Sequence, residues 1–191
     1  MKSAHPTLVS RRLREHIEVC RDLYGLAREI EAAGRALVKV VANGGMILFL
    51  GCGGSAAMAQ HLAAELLVRF RENRRPLPGI AVADPAALTA AANDFGWAQA
   101  LARPVLALAG AQDAVVALST SGESEAVLEA AKAAGKVGAL LVALTGAGPN
   151  TLAGLARHAI LVPSRDTARI QEMHLLVAHL LAEMIENGCA R

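Results

Sequence analysis

The chain has 191 residues, enough for one domain with a full core, and its net charge of +2 comes without a basic stripe interleaved with aromatics, so nucleic-acid binding is not expected. Apolar residues make up 54% and aromatics 3%, a balance dominated by alanine, leucine and valine that suits a parallel sheet covered on both faces. No apolar run nears the roughly 20 residues of a membrane helix, the N-terminus lacks a signal-peptide core, and Cys20, Cys52 and Cys189 form no CxxC pair, so a cytoplasmic protein without membrane contact or disulfides is expected.

Two helices come first in the predicted order of elements. Leu13, Ile17, Cys20 and Tyr24 fall at helical spacing, as do Leu26, Ile30, Ala33 and Leu37. Asn43-Gly44-Gly45 ends the second helix. Strand and helix then alternate: a buried strand over Met46 to Leu50, a helix from about Ser55 to Phe70, and a charged, proline-bearing loop "RENRRPLPG". A short strand at Ile80 to Ala83 precedes a helix opened by Asp84 as N-cap and Pro85 as first residue. Asp113 to Ser119 reads as a strand, and Glu123 to Ala134 as a helix ended by Gly135. "GALLVALTG" and Ala159 to Pro163 supply two more strands, and a last helix runs from about Thr167 to Glu186. Such alternation predicts a parallel sheet with helices on both faces, and ligands at the carboxyl ends of its strands. The two leading helices (residues 1–43) and the final helix are additions to the core (44–191), with apolar stripes suited to an oligomer interface.

Two loops sit at the ligand-binding ends of strands. Gly51 to Ser55, "GCGGS", lets backbone amides approach a ligand and opens a helix whose N-terminus attracts anions. It is neither a complete dinucleotide fingerprint, since Ala56 holds the third glycine position, nor a phosphate loop of the Gly-Lys-Ser/Thr kind. The second loop, "STSGES", gathers four hydroxyls, Ser119, Thr120, Ser121 and Ser124, around a glycine at a helix N-terminus. One or two would serve as an ordinary cap; four predict a cradle for the phosphate of a small molecule.

His61 and Glu65 lie four residues apart and share a helix face, where they could form a hydrogen bond, bind a metal or supply a base. The final helix carries Gln171, Glu172, His174 and His179 on an apolar background. Gln171 and His179 are separated by about 12 Å of rise, and spacing does not choose between His174 and His179.

At "GCGGSAAMAQHLAAELLVRF", "LTAAANDFG", "ALSTSGESEAVLEA" and "DTARIQEMHLLVAHLLAEMIE" the chain resembles the sugar-isomerase (SIS) domain family, and within it the phosphoheptose isomerases, over nearly its whole length. The resemblance implies a single SIS domain over 1–191, α/β and flavodoxin-like: a three-layer sandwich with a central parallel sheet of about five strands. It implies a homotetramer with active sites between subunits, and isomerisation of sedoheptulose 7-phosphate to D-glycero-D-manno-heptose 7-phosphate for lipopolysaccharide or another glycoconjugate. It assigns phosphate binding to Ser119, Thr120, Ser121 and Ser124, and substrate contacts to Cys52, Gly53, Gly54, Ser55, Glu65, Asn93, Asp94 and Gln171. Glu65 and His179 match its catalytic pair. His61, Glu65, Gln171 and His179 match ligands of a zinc ion found in part of the family. Three departures stand out: Cys52 where Asn is usual, Met58 where Asp is usual, and Glu123, whose charge must point away from a bound phosphate, where Asn is common. The competing readings are a non-catalytic SIS protein, of the kind that partners the bacterial replication initiator, and an isomerase or sensor of another sugar phosphate. Glu65 and His179 favour an enzyme, because the non-catalytic branch has uncharged residues there.

Overall fold

The computed structural model describes residues 7–189. Thr7 caps the first helix, its Oγ1 accepting the Ser10 N–H at 3.1 Å. Helix α1 (Leu8–Leu23) passes through a tighter turn, Tyr24–Leu26, into α2 (Ala27–Ala42). As the glycine pair predicts, α2 ends before a left-handed Gly44.

Five strands follow: β1 (Ile47–Gly51), β2 (Gly79–Ala81), β3 (Ala114–Leu118), β4 (Leu140–Thr145) and β5 (His158–Leu161). All pair in parallel, in the order β2-β1-β3-β4-β5. The strands are short, and β1 and β3 are buried at every residue. Side-chain alternation explains why. Ile47, Phe49, Val116 and Leu118 face a core built with α2, with α3 (Gly54–Leu67) and with α8 (Thr167–Cys189). Leu48, Leu50, Val115 and Ala117 face a second core formed with α5 (Ala102–Leu108) and α6 (Glu125–Lys136). A strand sandwiched this way must be apolar throughout, which is why "ILFLG" and "AVVAL" show no polar alternation.

The strand order places the functional ends. The chain steps from β1 outward to β2, then returns past β1 to β3, so connections from β1 and β3 leave in opposite directions. The crevice between their carboxyl ends is the switch point at which such sheets take ligands.

Several boundaries differ from the sequence expectation. Helix α3 stops at Leu67, three residues early, because Arg74 folds back and donates to the Glu65 and Leu66 carbonyls at 2.7 and 2.9 Å. Helix α6 starts at Glu125, not Glu123, with Ser124 at the cap. It runs through Gly135 to Lys136 and turns left-handed only at Gly138. A glycine inside a helix costs only about 1 kcal/mol, which the buried alanines of α6 offset. Helix α4 (Pro85–Phe95) has the expected Asp84 cap, with the carboxylate 2.7 Å from the Ala87 N–H. Two short helices, α5 and α7 (Thr151–Leu155), carry too few turns for an apolar stripe and were not foreseen. Among the described residues no helix is long and apolar enough to cross a membrane.

Candidate active site

The loop Cys52–Ser55 leaves β1 and the turn Ser119–Ser124 leaves β3, side by side at the switch point. Cys52 Sγ lies 3.6 Å from Ser124 Oγ, so the two loops touch. Gly53 adopts φ +58°, a backbone that side chains resist, and it delivers the chain directly into α3. Gly122, at φ +69°, bends the hydroxyl turn. Its N–H donates to Ser119 Oγ at 3.1 Å, and the Glu123 N–H donates to Ser121 Oγ at the same distance. A Cβ at Gly122 would overlap the Asn150 side chain, so any other residue would be strained twice over.

Glu123 is accounted for. Its carboxylate accepts the Thr151 N–H at 2.7 Å and the Thr151 hydroxyl at 2.8 Å, capping α7. Those two hydrogen bonds hold its pKa below the ordinary carboxylate value. The negative charge inside the turn is thus drawn towards α7. Met58, the second departure, packs partly buried against the core.

Helices α3 and α8 lie side by side and carry matching residues at nearly matching intervals. A Cβ on Gly54 would meet the Gln171 side-chain amide at 2.8 Å, so Gln171 rests on the start of α3. Seven residues further along α3, about 10 Å of rise, His61 meets His179 of α8. Their Nε2 atoms are 2.9 Å apart, with one ring donating and the other accepting, and the rings cross edge to face at 73°. Glu65 Oε1 lies 3.4 Å from His61 Nε2. Donor atoms of His61, Glu65 and His179 all lie within 4.8 Å of one another, and all three residues are partly buried. Two imidazole nitrogens and a carboxylate at that spacing could hold a metal ion, while Gln171 lies eight residues back along α8, at the start of the groove.

Other residues named from the sequence stand apart. Asn93 and Asp94 are exposed at the end of α4, and the Asn93 amide donates to the Asp94 carboxylate at 2.9 Å; among the described residues their side chains make no hydrogen bond to the residues above. Ser55 is buried in the first turn of α3.

The SIS domain family matches residues 13–146. A phosphoheptose isomerase of Campylobacter jejuni is 43% identical over 182 residues, covering 95% of this chain and 98% of that protein. The structure of phosphoheptose isomerase from Neisseria gonorrhoeae superposes with a TM-score of 0.88 at 35% identity, over 94% of this chain and 97% of the other. That of a phosphoheptose isomerase from Francisella tularensis gives 0.90 at 33% identity, over 94% and 96%. The chain belongs to the phosphoheptose isomerase family of SIS domains.

Sequence reasoning missed two supports of the His61, Glu65 and His179 cluster. The Phe70 ring stacks on His179 with centroids 5.4 Å apart and planes 25° from parallel. Below it, the wholly buried Glu186 carboxylate accepts the N–H groups of Phe70, Arg71 and Glu72 and pairs with Arg74 at 2.9 Å. Burial alone would raise the Glu186 pKa; those three amides and Arg74 outweigh it and hold the pKa below normal. Glu186 lies more than 110 residues from its partners, and no local spacing signals the pairing.

His174, the alternative to His179 on spacing, has a different role. It is fully buried, its Nε2–H donates to the Thr145 carbonyl at 3.1 Å, and among the described residues Nδ1 has no partner. Burial pushes its pKa down from 6.5 to about 4, the Thr145 bond opposing only in part. The unfolded chain therefore binds a proton near pH 6.5 that the native state refuses until about pH 4. Stability from this residue is present above pH 6.5 and is lost as pH falls towards 4. The stability difference between wild type and His174→Leu is expected to shrink by about 3 kcal/mol between pH 7 and pH 4, measured by urea unfolding at each pH. A pH-independent difference would show that His174 is not held neutral.

Proposed function

We propose that this chain isomerises sedoheptulose 7-phosphate to D-glycero-D-manno-heptose 7-phosphate through an enediol(ate), supplying a heptose for lipopolysaccharide or another glycoconjugate. The observation that carries the reading is the meeting of His61, Glu65 and His179 in the groove that starts at the Gly53–Gly54 loop, beside a turn of four hydroxyls. In this reading Ser119, Thr120, Ser121 and Ser124 hold the phosphate through hydroxyls, backbone amides and the N-terminus of α6. Cys52, Gly53, Gly54, Ser55 and Gln171 line the path of the sugar chain along α3. The roughly 10 Å from the start of α3 to His61 is comparable with an extended phosphorylated heptose.

Glu65 takes the proton from the carbon next to the carbonyl, leaving an enediolate, and His179 moves a proton between the two oxygens. Return of the carbon-bound proton to the neighbouring carbon completes the exchange of ketose for aldose. Phe70 holds the His179 ring in place by stacking. Zinc, held by His61, Glu65 and His179, with Gln171 reaching along the groove or supplied by a neighbouring subunit, would give Lewis-acid polarisation of the substrate oxygens. Asn93 and Asp94 reach substrate from a neighbouring subunit of a homotetramer. Exposed Leu8, Leu13 and Ile17 on α1 and Tyr24 in the turn after it, with Leu176 and Leu180 on α8, support such an assembly. The unpaired Cys20, Cys52 and Cys189 suit a reducing cytoplasm.

The test is turnover of sedoheptulose 7-phosphate by the purified protein, followed by NMR, before and after chelation. Aldose should accumulate, fall on chelation and recover with added zinc. No aldose from any ketose phosphate, zinc supplied, would leave a binding module instead.

A further inference from the structure

A cavity of about 210 Å³ opens against the hydroxyl turn. Thr120 and Ser121 line one wall; Ser164 and Arg165, from the segment between β5 and α8, and Thr167 and Ile170, in the first turn of α8, line the other. The backbone ties the two walls together through the loop after β4. The Gly146 N–H donates to the Thr120 carbonyl, and the Ala147 N–H to the Ser164 carbonyl. Arg165 is thus carried on a braced segment facing the turn.

The charges nearby are distributed unevenly. Among the described residues Arg165 has no carboxylate within 4.0 Å. Its neighbour Asp166 accepts the Ala168 and Arg169 N–H groups at the head of α8 and lies 3.5 Å from Arg12. Arg169 pairs with Glu172 and Glu15. Arg165 is therefore the only charged side chain lining the cavity, and its guanidinium is uncompensated. Four hydroxyl side chains and, among the described residues, one unpaired guanidinium make a donor-rich lining. A dianionic phosphate is the ligand such a lining suits, because a guanidinium offers it paired N–H donors in a fork.

We propose that Arg165 is a phosphate-binding residue that closes on the sugar phosphate from the side opposite the Ser119–Ser124 turn, and so favours phosphorylated over unphosphorylated sugars. This rests on the phosphosugar reading above. Arg165 makes no hydrogen bond or ion pair among the described residues, so substituting it leaves the fold untouched.

Binding of inorganic phosphate to the intact protein, measured by calorimetry, tests this without turnover. Arg165→Gln should weaken phosphate roughly tenfold and Arg165→Lys by less, with an unchanged melting temperature. With sedoheptulose 7-phosphate as substrate, Arg165→Gln should raise KM by a similar factor and leave kcat within about twofold. Phosphate affinity unchanged in Arg165→Gln but lowered in Ser121→Ala overturns the role of Arg165 and leaves the proposed function standing. Phosphate affinity lost in Arg165→Gln, in a protein that turns over no ketose phosphate, upholds Arg165 and overturns the proposed function instead.

Discussion

Arg74→Met should lower the unfolding free energy by about 3–5 kcal/mol, the cost of stranding one charge of a buried ion pair. Arg74 and Glu186 are each only 2% exposed at the side chain, so water cannot solvate the carboxylate that remains. Methionine fills much of the lost volume, so the loss is not a cavity effect. The guanidinium also donates to the carbonyls of Glu65 and Leu66, in the last turn of α3, and to that of Arg75 in the loop beyond. For a chain of this length the loss corresponds to a melting-temperature drop of roughly 6–20 °C. A second consequence separates this pair from ordinary scaffolding. Arg74 holds the Glu65 carbonyl, and Glu186 holds the Phe70 N–H whose ring stacks on His179. Well below its melting point, the variant should therefore also lose kcat. A melting temperature within a degree of wild type would show that the pair adds nothing, and Glu186 would then be satisfied by its three amides alone.

The α/β architecture was legible because a doubly covered strand must be apolar throughout while its helices keep a period of 3.6 residues. Both loops at the switch point were legible for a similar reason: glycines and clustered hydroxyls have few structural uses at strand ends. The ends of α3 and α6 were not legible, because tertiary contacts set them. Arg74 stops α3 from outside the helix, and the buried alanines carry α6 past Gly135. The pairing of α3 with α8 explains why spacing alone failed on the final helix. Gln171 and His179 look unrelated on α8, yet α3 runs alongside and offers Gly54 and His61 at almost the same interval. His174 and His179 differ by five residues, about 140° around the helix, so one faces the core and the other the groove. That distinction depends on which face α8 buries, and a helix with apolar residues on most sides does not announce it. The partner that Glu123 takes, Thr151, belongs to a five-residue helix too short to foresee.

Glu65→Gln should reduce kcat by roughly 10²–10⁴-fold, the usual contribution of a positioned general base. The substitution keeps the shape of the side chain and removes only its charge and proton affinity, so phosphate binding by the distant hydroxyl turn should be unchanged. Two roles compete for this carboxylate, since a base must be free to accept a proton and a metal ligand must keep its oxygen occupied. Its position resolves what each role predicts. Glu65 Oε1 lies 3.4 Å from His61 Nε2, while the two imidazoles approach each other more closely at 2.9 Å. The carboxylate is thus the most loosely held of the three and has a second oxygen to offer. Loss of turnover with zinc content retained assigns Glu65 to proton transfer, with the histidines sufficient to keep the ion. Loss of both together, recovered when zinc is supplied in excess, assigns it to metal retention and moves the base elsewhere. Wild-type kcat in Glu65→Gln would remove Glu65 from the chemistry altogether, and with it the reason the groove between α3 and α8 needs a carboxylate behind a glycine turn.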